Sequence, residues 1–420
     1  MKRHGFFDGD RRLYLFVFLG LFWASGFLYG EEYITGLSVT GLKRTKLSTV
    51  ERPLKKFIGA DASQMNLDDV RAAILDTGIL EPLAVEILDG DNTEEKILAV
   101  TVREKWPILP IPLFSAGSHG ISLGLVFYDV NAFGLNDKFY AGGIYGKSDW
   151  GASIGYIHLP PEWGIPGWSG AVTFARRERR DKNQNNEDLR VYDVDAISAL
   201  AGLSFRLLKT QDFLNAAVNI TYDEKILTNP GNGMNEPESG LRVFGAGGEI
   251  ALRTSSWDGY FLSQQALVLN YAWMYVPDGC SFHAAKLKLN YEKSLIPGFR
   301  LNLNSGLAFY PGVPVLFETD PVSSCTSILP PYFAARHYAG LSLGLEKHIV
   351  KFSFGSISLG AAYQGVYSQG SIAGDSFDHG PVGTVSFYLS KIAIPALGVG
   401  VAYNVKENFF QGSFTLGISL

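Results

Sequence analysis

After its first thirty residues the 420-residue chain has no apolar run long enough to cross a membrane as a helix. A membrane role would therefore have to be carried by strands closed into a barrel. Charged residues are sparse at 18%, and a net charge of -5 with a pI of about 5.9 gives nucleic acid no electrostatic footprint. Cysteine is almost absent: there are two, Cys280 and Cys325, with no Cys-x-x-Cys. The seven histidines contain no i, i+4 pair, so the usual metal-ligand spacings are missing and no cofactor is expected. What is abundant is glycine, 47 residues, and aromatic side chains at 13%, a mixture that suits a strand-rich protein whose exterior is not all water.

The N-terminus indicates export. Lys2, Arg3, Arg11 and Arg12 precede an apolar run from Leu13 to Trp23, and Ala24-Ser25-Gly26 offers a small-residue cleavage site. Residues 1–30 read as a signal peptide; a retained anchor helix is the rival, because Phe27 to Gly30 prolong the apolar stretch. In an exported chain Cys280 and Cys325 could form one disulfide, which their spacing does not decide.

Residues 31–105 read as a small α+β domain. "YITGLSVTGL" alternates as a strand, and Ser48 to Ile58 places Val50, Leu54, Phe57 and Ile58 at helical spacing. Asn66 is a good N-cap for a second helix that ends near Gly78, with Val70, Ile74 and Leu75 as its buried stripe. The strands "PLAVEIL" and "KILAVTVRE" follow, on either side of "DGDNTEE".

From residue 106 to 420 period-two alternation replaces helical spacing. Sixteen candidate strands begin near Trp106, Ile121, Lys138, Gly151, Gly167, Ala196, Phe213, Gly240, Phe261, Ser281, Phe299, Arg336, Phe354, Pro381, Leu397 and Phe409. Connections after even strands are mostly short, and all the long ones follow odd strands. Short turns on one side and long loops on the other are the pattern of an antiparallel transmembrane barrel. "KLKLNYEK" alternates apolar with polar, and "FFQGSFTLGISL" places Phe410, Phe414 and Leu420 on one face. A soluble β-sandwich is the competing fold. Cys280 and Cys325 map to the fifth and sixth long-side connections.

"EKWPILPIPLF" opens the array with a strand carrying Pro107, Pro110 and Pro112, and prolines belong on sheet edges. Gly120-x-Ser122-x-Gly124 and Gly340-x-Ser342-x-Gly344 match a hydrolase elbow, but both lie inside alternating strands with no helix after them, so no enzyme is expected. "FGAGGEI" lacks the Lys-Ser/Thr of a phosphate loop. The run Arg176-Arg177-Glu178-Arg179-Arg180 could meet anionic glycolipid or form a solvated loop face.

Together the domain order, the proline-bearing junction and Asp129-Val130-Asn131-Ala132-Phe133-Gly134 resemble the outer-membrane assembly and translocation superfamily that includes BamA, TamA and two-partner secretion transporters. The hexapeptide is similar to that family's Asp-x-Asn-x-x-Gly at the first periplasmic turn, which places Asp129, Asn131 and Gly134 in the motif. "YPGVPVLFE" is similar to its approach to the long sixth extracellular loop. The resemblance implies one periplasmic POTRA domain (31–105) and a sixteen-stranded outer-membrane barrel (106–420) whose first and last strands meet at a seam. It implies a protein that inserts or translocates others. The partners would be unfolded outer-membrane or exported polypeptides, periplasmic or lipoprotein accessory subunits and outer-membrane lipid, with no nucleic acid. Clients would add to the POTRA sheet at Leu83, Val85 and Ile87.

The sixth loop departs from the family. Its Arg-Gly tip is missing between Pro311 and Ala335, and the acidic strand-thirteen pattern has become Ala362-Tyr363-Gln364-Gly365. Arg336 and Glu346 on strand twelve are the candidate substitute pair, or else separate lumen-facing charges. The chain ends in Leu420 where the family has an aromatic. A passive pore or surface structural protein and a secretion pore for one partner remain as alternative functions.

Overall fold

The computed structural model describes residues 32–416, apart from 92–94, 118–119, 148, 161–162, 183–187, 209–212, 230–236, 238, 258–260, 278, 319–325, 330–332, 353–354, 373 and 390–395. The signal peptide, Cys325 and Leu420 therefore lie outside the described residues. The chain divides into two compact units, one ending at Glu104 and the other starting at Lys105.

The first unit runs β1 (Tyr33–Thr40), α1 (Leu47–Leu54), α2 (Leu67–Leu75), β2 (Leu80–Asp89) and β3 (Glu95–Glu104). Its sheet has the order β1-β3-β2, with β1 parallel and β2 antiparallel to the central β3. Ile34, Val50, Leu54, Val70, Ile74, Leu80 and Leu98 are fully buried and form the core. The Asn66 side chain accepts the Asp68 N–H at 3.0 Å and starts α2, and Gly78 takes a φ of 74° beyond its end. The buried stripe is Val70, Ala73 and Ile74, whereas Leu75 is exposed. Positions i, i+3 and i+4 share a helix face, and Leu75, at i+5, has turned off it.

Glu104 holds the β1–α1 turn from the far end of β3. Its Oε1 accepts the backbone N–H groups of Lys43 at 2.9 Å and Thr45 at 2.7 Å, and its two oxygens share that of Arg44. Burial pushes the carboxyl upward, but the Lys43 and Thr45 N–H groups, the Thr45 hydroxyl and the Arg44 N–H outweigh it and hold the group below its ordinary value.

The second unit is one sixteen-stranded sheet in strictly sequential order from β4 (Ile108–Gly117) to β19 (Phe409–Leu416), every neighbouring pair antiparallel. Most strands start within a residue or two of the positions read from the sequence. Two start earlier: β9 (Asp188–Arg206) and β17 (Ser376–Leu389). The charged run Arg176–Arg180 is not loop but lies inside β8 (Gly167–Lys182), where Arg176 and Asp195 pair across the hairpin at 2.6 Å as the ladder continues. In β17, Ser376 to Gly380 pair with β16 (Gly355–Gln369), and Pro381 lies inside the strand.

The polarity of the faces is inverted relative to a soluble sheet. Along β15 (His337–Phe352), Leu341, Leu343 and Leu345 are exposed while Tyr338, Ser342 and Glu346 are buried. The pattern repeats elsewhere, with Ile154, Ile220, Ile250, Val399 and Val401 exposed and Ser358, Gln364, Asp378 and Asn404 buried. Apolar-out and polar-in alternation is what a transmembrane barrel requires.

The sign of the Glu104 shift predicts its pH behaviour. A depressed carboxyl stabilises the fold above its ordinary pKa and loses that contribution as pH falls through the depressed one. Glu104→Gln should loosen residues 43–45 and cost about 1 kcal/mol after allowance for partial exposure. Hydrogen exchange of those amides in the full-length chain checks it: the wild type should be more protected at neutral pH, with the gap closing in acid.

Candidate functional site at the sheet edge and the inner loop

The sheet has two end strands, and no pairing between β4 and β19 occurs among the described residues. The register fixes which side of β4 its prolines disarm. In an antiparallel ladder, residues alternate between exchanging backbone bonds with the partner and pointing them away. Val130 N–H donates to the Pro107 carbonyl at 3.1 Å, and the same register pairs Leu109 with Tyr128 and Ile111 with Val126. Those alternate positions face β5 (Gly120–Ala132), so Pro110 and Pro112 turn their nitrogens outward. They cost the β4–β5 ladder nothing and remove two donors from the open edge. Pro107 faces β5 and contributes its carbonyl alone.

At the other end, Phe410 is exposed and packs its ring 4.7 Å from Tyr403, and Phe414 stands opposite Val399 in the ladder to β18 (Ala396–Asn404). That end is thinly held, since the β17–β18 ladder covers Val382–Tyr388 and stops beside Pro381. The Val405 N–H bond to the His379 carbonyl at 2.9 Å fixes the phase: residues 379 and 381 face β18, where Pro381 has no donor to offer.

Asp129, Asn131 and Gly134 build the turn between β5 and β6 (Asp137–Gly146). Asp129 accepts the Asn131 N–H at 2.9 Å, and Asn131, buried, accepts the Asn136 N–H at 2.8 Å. Gly134 takes a φ of 74° and Phe133 one of 55°, which explains the glycine and projects the Phe133 ring outward.

The described parts of the segment between β14 (Phe299–Phe309) and β15 lie against the inner face and are gripped at two places. Its first limb, Val315–Phe317, packs Leu316 against Tyr192 and Val194 of β9. There the buried Glu318 meets Arg190 at 2.6 Å, with Arg179 at 3.7 Å and Arg336 at 3.9 Å. Its second limb docks on the opposite strands: the Gln364 Oε1 accepts the Thr326 hydroxyl at 3.1 Å and the Ser327 N–H at 2.8 Å. Ile328, fully buried, packs with Val366, Val382 and Ala402, and its carbonyl accepts the Asn404 amide at 3.3 Å. The sheet thus curls around this segment.

Arg336 and Glu346 do not pair. They stand ten positions apart on and beside one extended strand, a separation of roughly 33 Å. Glu346 pairs instead with Arg300 of β14 at 2.7 Å, and Arg300 also reaches Glu292 at 2.9 Å and the Tyr388 hydroxyl at 2.5 Å. Tyr388 and Ser358 both donate to the other Glu346 oxygen, and the Arg300 guanidinium lies over the Phe261 ring at 4.9 Å. One arginine thereby ties four strands and a turn together.

In the first unit β2 is an edge strand. Leu83 is the extra residue of a β-bulge between Pro82 and Ala84 and stands exposed, so it leaves the face on which Val85 is buried. The Gly90 N–H to Glu95 carbonyl bond at 2.8 Å, in register with the ladder from Ala84 to Asp89, turns Gly90, Leu88 and Glu86 toward β3. Val85, Ile87 and Asp89 therefore present their backbone groups to the open side. Cys280 is exposed and free, and no disulfide is present among the described residues.

A long sequential antiparallel sheet of sixteen strands, curled around an inner loop and following a β-α-α-β-β unit, defines the class of fold. The fold is shared with crystallised BamA from Haemophilus ducreyi lacking POTRA domains 1–3, at 13% identity over 91% of this chain and 85% of that one, with a TM-score of 0.55. It is shared also with CdiB from Escherichia coli, at 14% identity over 92% and 74% of the two chains and a TM-score of 0.61, and with CdiB from Acinetobacter baumannii, at 12% over 92% and 73% and a TM-score of 0.57. No protein-family model and no curated protein matches the sequence.

The buried arginine predicts a large effect from a single change. Arg300→Met leaves Glu292 and Glu346 without their cation and should destabilise the sheet by roughly 3–5 kcal/mol, whereas adding Glu346→Gln should recover part of that loss. The temperature at which the folded band converts to the unfolded one on semi-native gels measures both.

Proposed function

We propose that this chain is an exported outer-membrane barrel with one periplasmic POTRA domain that inserts or translocates other polypeptides without chemical catalysis. The observation that carries the reading is the β4 edge, where Pro110 and Pro112 withhold two donors from the outward side of an end strand. A seam lacking two ladder bonds, each worth roughly 0.5–1.5 kcal/mol net, opens at lower cost than one with all its donors. The inverted faces favour a lipid-facing exterior, and the fold shared with BamA and CdiB supports placement in an outer membrane.

Client strands would first add to β2, whose outward N–H and C=O groups at Val85, Ile87 and Asp89 offer sequence-tolerant pairing. Side-chain pockets matter little in such a contact, which suits unrelated unfolded clients. Accessory lipoproteins or periplasmic subunits would assist delivery. The likeness to CdiB favours a second reading, a secretion pore serving one exported partner. The doubly anchored inner loop weighs against a passive pore, because it occupies the space around which the sheet curls.

Two measurements test the reading. Depletion of the protein followed by quantitative proteomics of the outer-membrane fraction should remove several unrelated barrels. Loss of one exported protein alone would establish the secretion reading, and no change would leave the passive pore. Complementation with Pro110→Ala/Pro112→Ala, which restores the donors and closes the seam, should fail to rescue. Separately, Ile87→Pro deletes one outward N–H of β2 and leaves the inward ladder whole. Cross-linking of client peptides to β2 should fall while the hydrogen-exchange protection of β3 stays unchanged.

A further inference from the structure

The exposed apolar face carries a depression of about 750 Å³ over strands β6 to β11 (Leu241–Trp257). It runs across the strands, between two ladder rows spaced two residues apart. One row holds Tyr156, Gly170, Ala201 and Ile220; these residues stand opposite one another from β7 (Trp150–His158) through β10 (Leu214–Asn229). At Gly170, Ala199 and Ala201 the lining residues bring at most a methyl group, so the trench reaches the backbone there, while Ile154 and Ile220 rise on its sides. Phe139 closes one end and Phe244 the other, and the lining is almost wholly apolar.

One end is different. Tyr156, which lines the trench, donates its hydroxyl to Asp137 at 2.6 Å, and His158 Nδ1 lies 2.9 Å from the same carboxylate. Asp137 is 1% exposed although it sits on the apolar face, and the ring of Trp168 stacks 4.9 Å from that of Tyr156. A carboxylate on such a face is retained only where hydrogen bonds satisfy it. Here those bonds fix the Tyr156 ring as the wall of the trench and set a polar group at its mouth, next to the β5–β6 turn.

We infer that this trench is a discrete binding site for one hydrocarbon chain of a membrane phospholipid, with the polar part of the lipid at the end of the trench beside His158. The inference rests on the membrane placement proposed above. Width selects the occupant. Rows two residues apart are separated by roughly 6.5–7 Å, room for an extended alkyl chain but not for an α-helix about 10–12 Å across with its side chains. The volume lies in the ordinary range of small-ligand sites, roughly 300–1,000 Å³. A tail seated there removes apolar wall and floor from contact with disordered lipid and gains close packing along its length.

The test uses the full chain in vesicles doped with a phospholipid bearing a photoreactive group on its acyl chain. Labelled peptides are mapped for wild type and for Ala201→Leu, which fills the floor from the lipid side and whose folding is checked by gel mobility. Wild-type labelling should be enriched on β8 and β9 relative to the flat exterior around Leu267 and Leu269 of β12 (Leu262–Tyr275). In Ala201→Leu the enrichment should disappear while the β12 signal persists. Equal labelling of both regions in wild type, enrichment that survives the substitution, or capture of a polypeptide at the trench would each overturn the site. Absence of label on both regions would instead refute the membrane placement itself.

Discussion

The rest of the second unit depends on how sixteen strands dispose of their backbone hydrogen bonds. Every inner strand has a ladder on both sides, and only β4 and β19 have a side without one among the described residues. In hydrocarbon an unpaired peptide group costs several kcal/mol, which is why spanning sheets close. Closure is opposed at one place by sequence. Proline at the outward positions 110 and 112 of β4 removes donors that no side chain can replace. On the other flank Pro381 shortens the ladder two strands in from β19. Proline thus weakens one end strand and a ladder near the other end of the sheet, while the paired runs on β9 and β10 extend almost the full strand length.

Against that weakness stand two buried polar assemblies of different chemistry. Arg300 is surrounded by two carboxylates and a phenol, so its charge is overcompensated and its donors are spent on β13 (Phe282–Ile296), β15 and β17. Such a cluster adds little net stability over an apolar core but makes loss of any member expensive, and so fixes the relative position of those strands. The inner loop reverses the charge arrangement expected from the family resemblance: the acid, Glu318, is on the loop and the arginines are on and beside the sheet. Its second limb is held by neutral groups, Thr326 and Ser327 on Gln364, where a buried ion would have needed a partner.

The strand array was legible because an apolar exterior and a polar interior alternate with period two, and because turn residues separate the runs. Boundaries failed where charge disguised pairing. Arg176 and Asp195 look like solvated loop until the hairpin sets them face to face. That the prolines of β4 belong to an end strand was legible too, although their direction needed the register. The side-chain assemblies were not. Glu346 finds Arg300 46 positions away, and Arg300 finds Tyr388 across 88, and no local spacing encodes those distances. Arg336 and Glu346 looked like a pair because they share a strand, yet sharing a strand is what keeps them apart. The departure of Leu83 from the Val85 face has a local reason, a bulge that strict alternation cannot anticipate.

On the proposed function, the two free edges differ in a way that gives client transfer a direction. Strand β2 presents complete outward donors at Val85 and Ile87, so an extended segment can add there with every ladder bond formed. Strand β4 presents carbonyls but withholds N–H at 110 and 112, so a segment paired with it is short of two bonds and leaves easily. Strand β19 carries no proline and can template a full ladder. A client strand entering the seam would therefore pair with β19 more firmly than with β4, and the new sheet would grow from the C-terminal side. The loop tip bears on that choice. Asn404 of β18, which binds the Ile328 carbonyl, also accepts the N–H groups of Lys406 and Glu407 in the turn leading to β19. Undocking the loop removes a bond from the residue that shapes this turn, so the grip of β18 on β19 and the position of the loop are set by the same side chain.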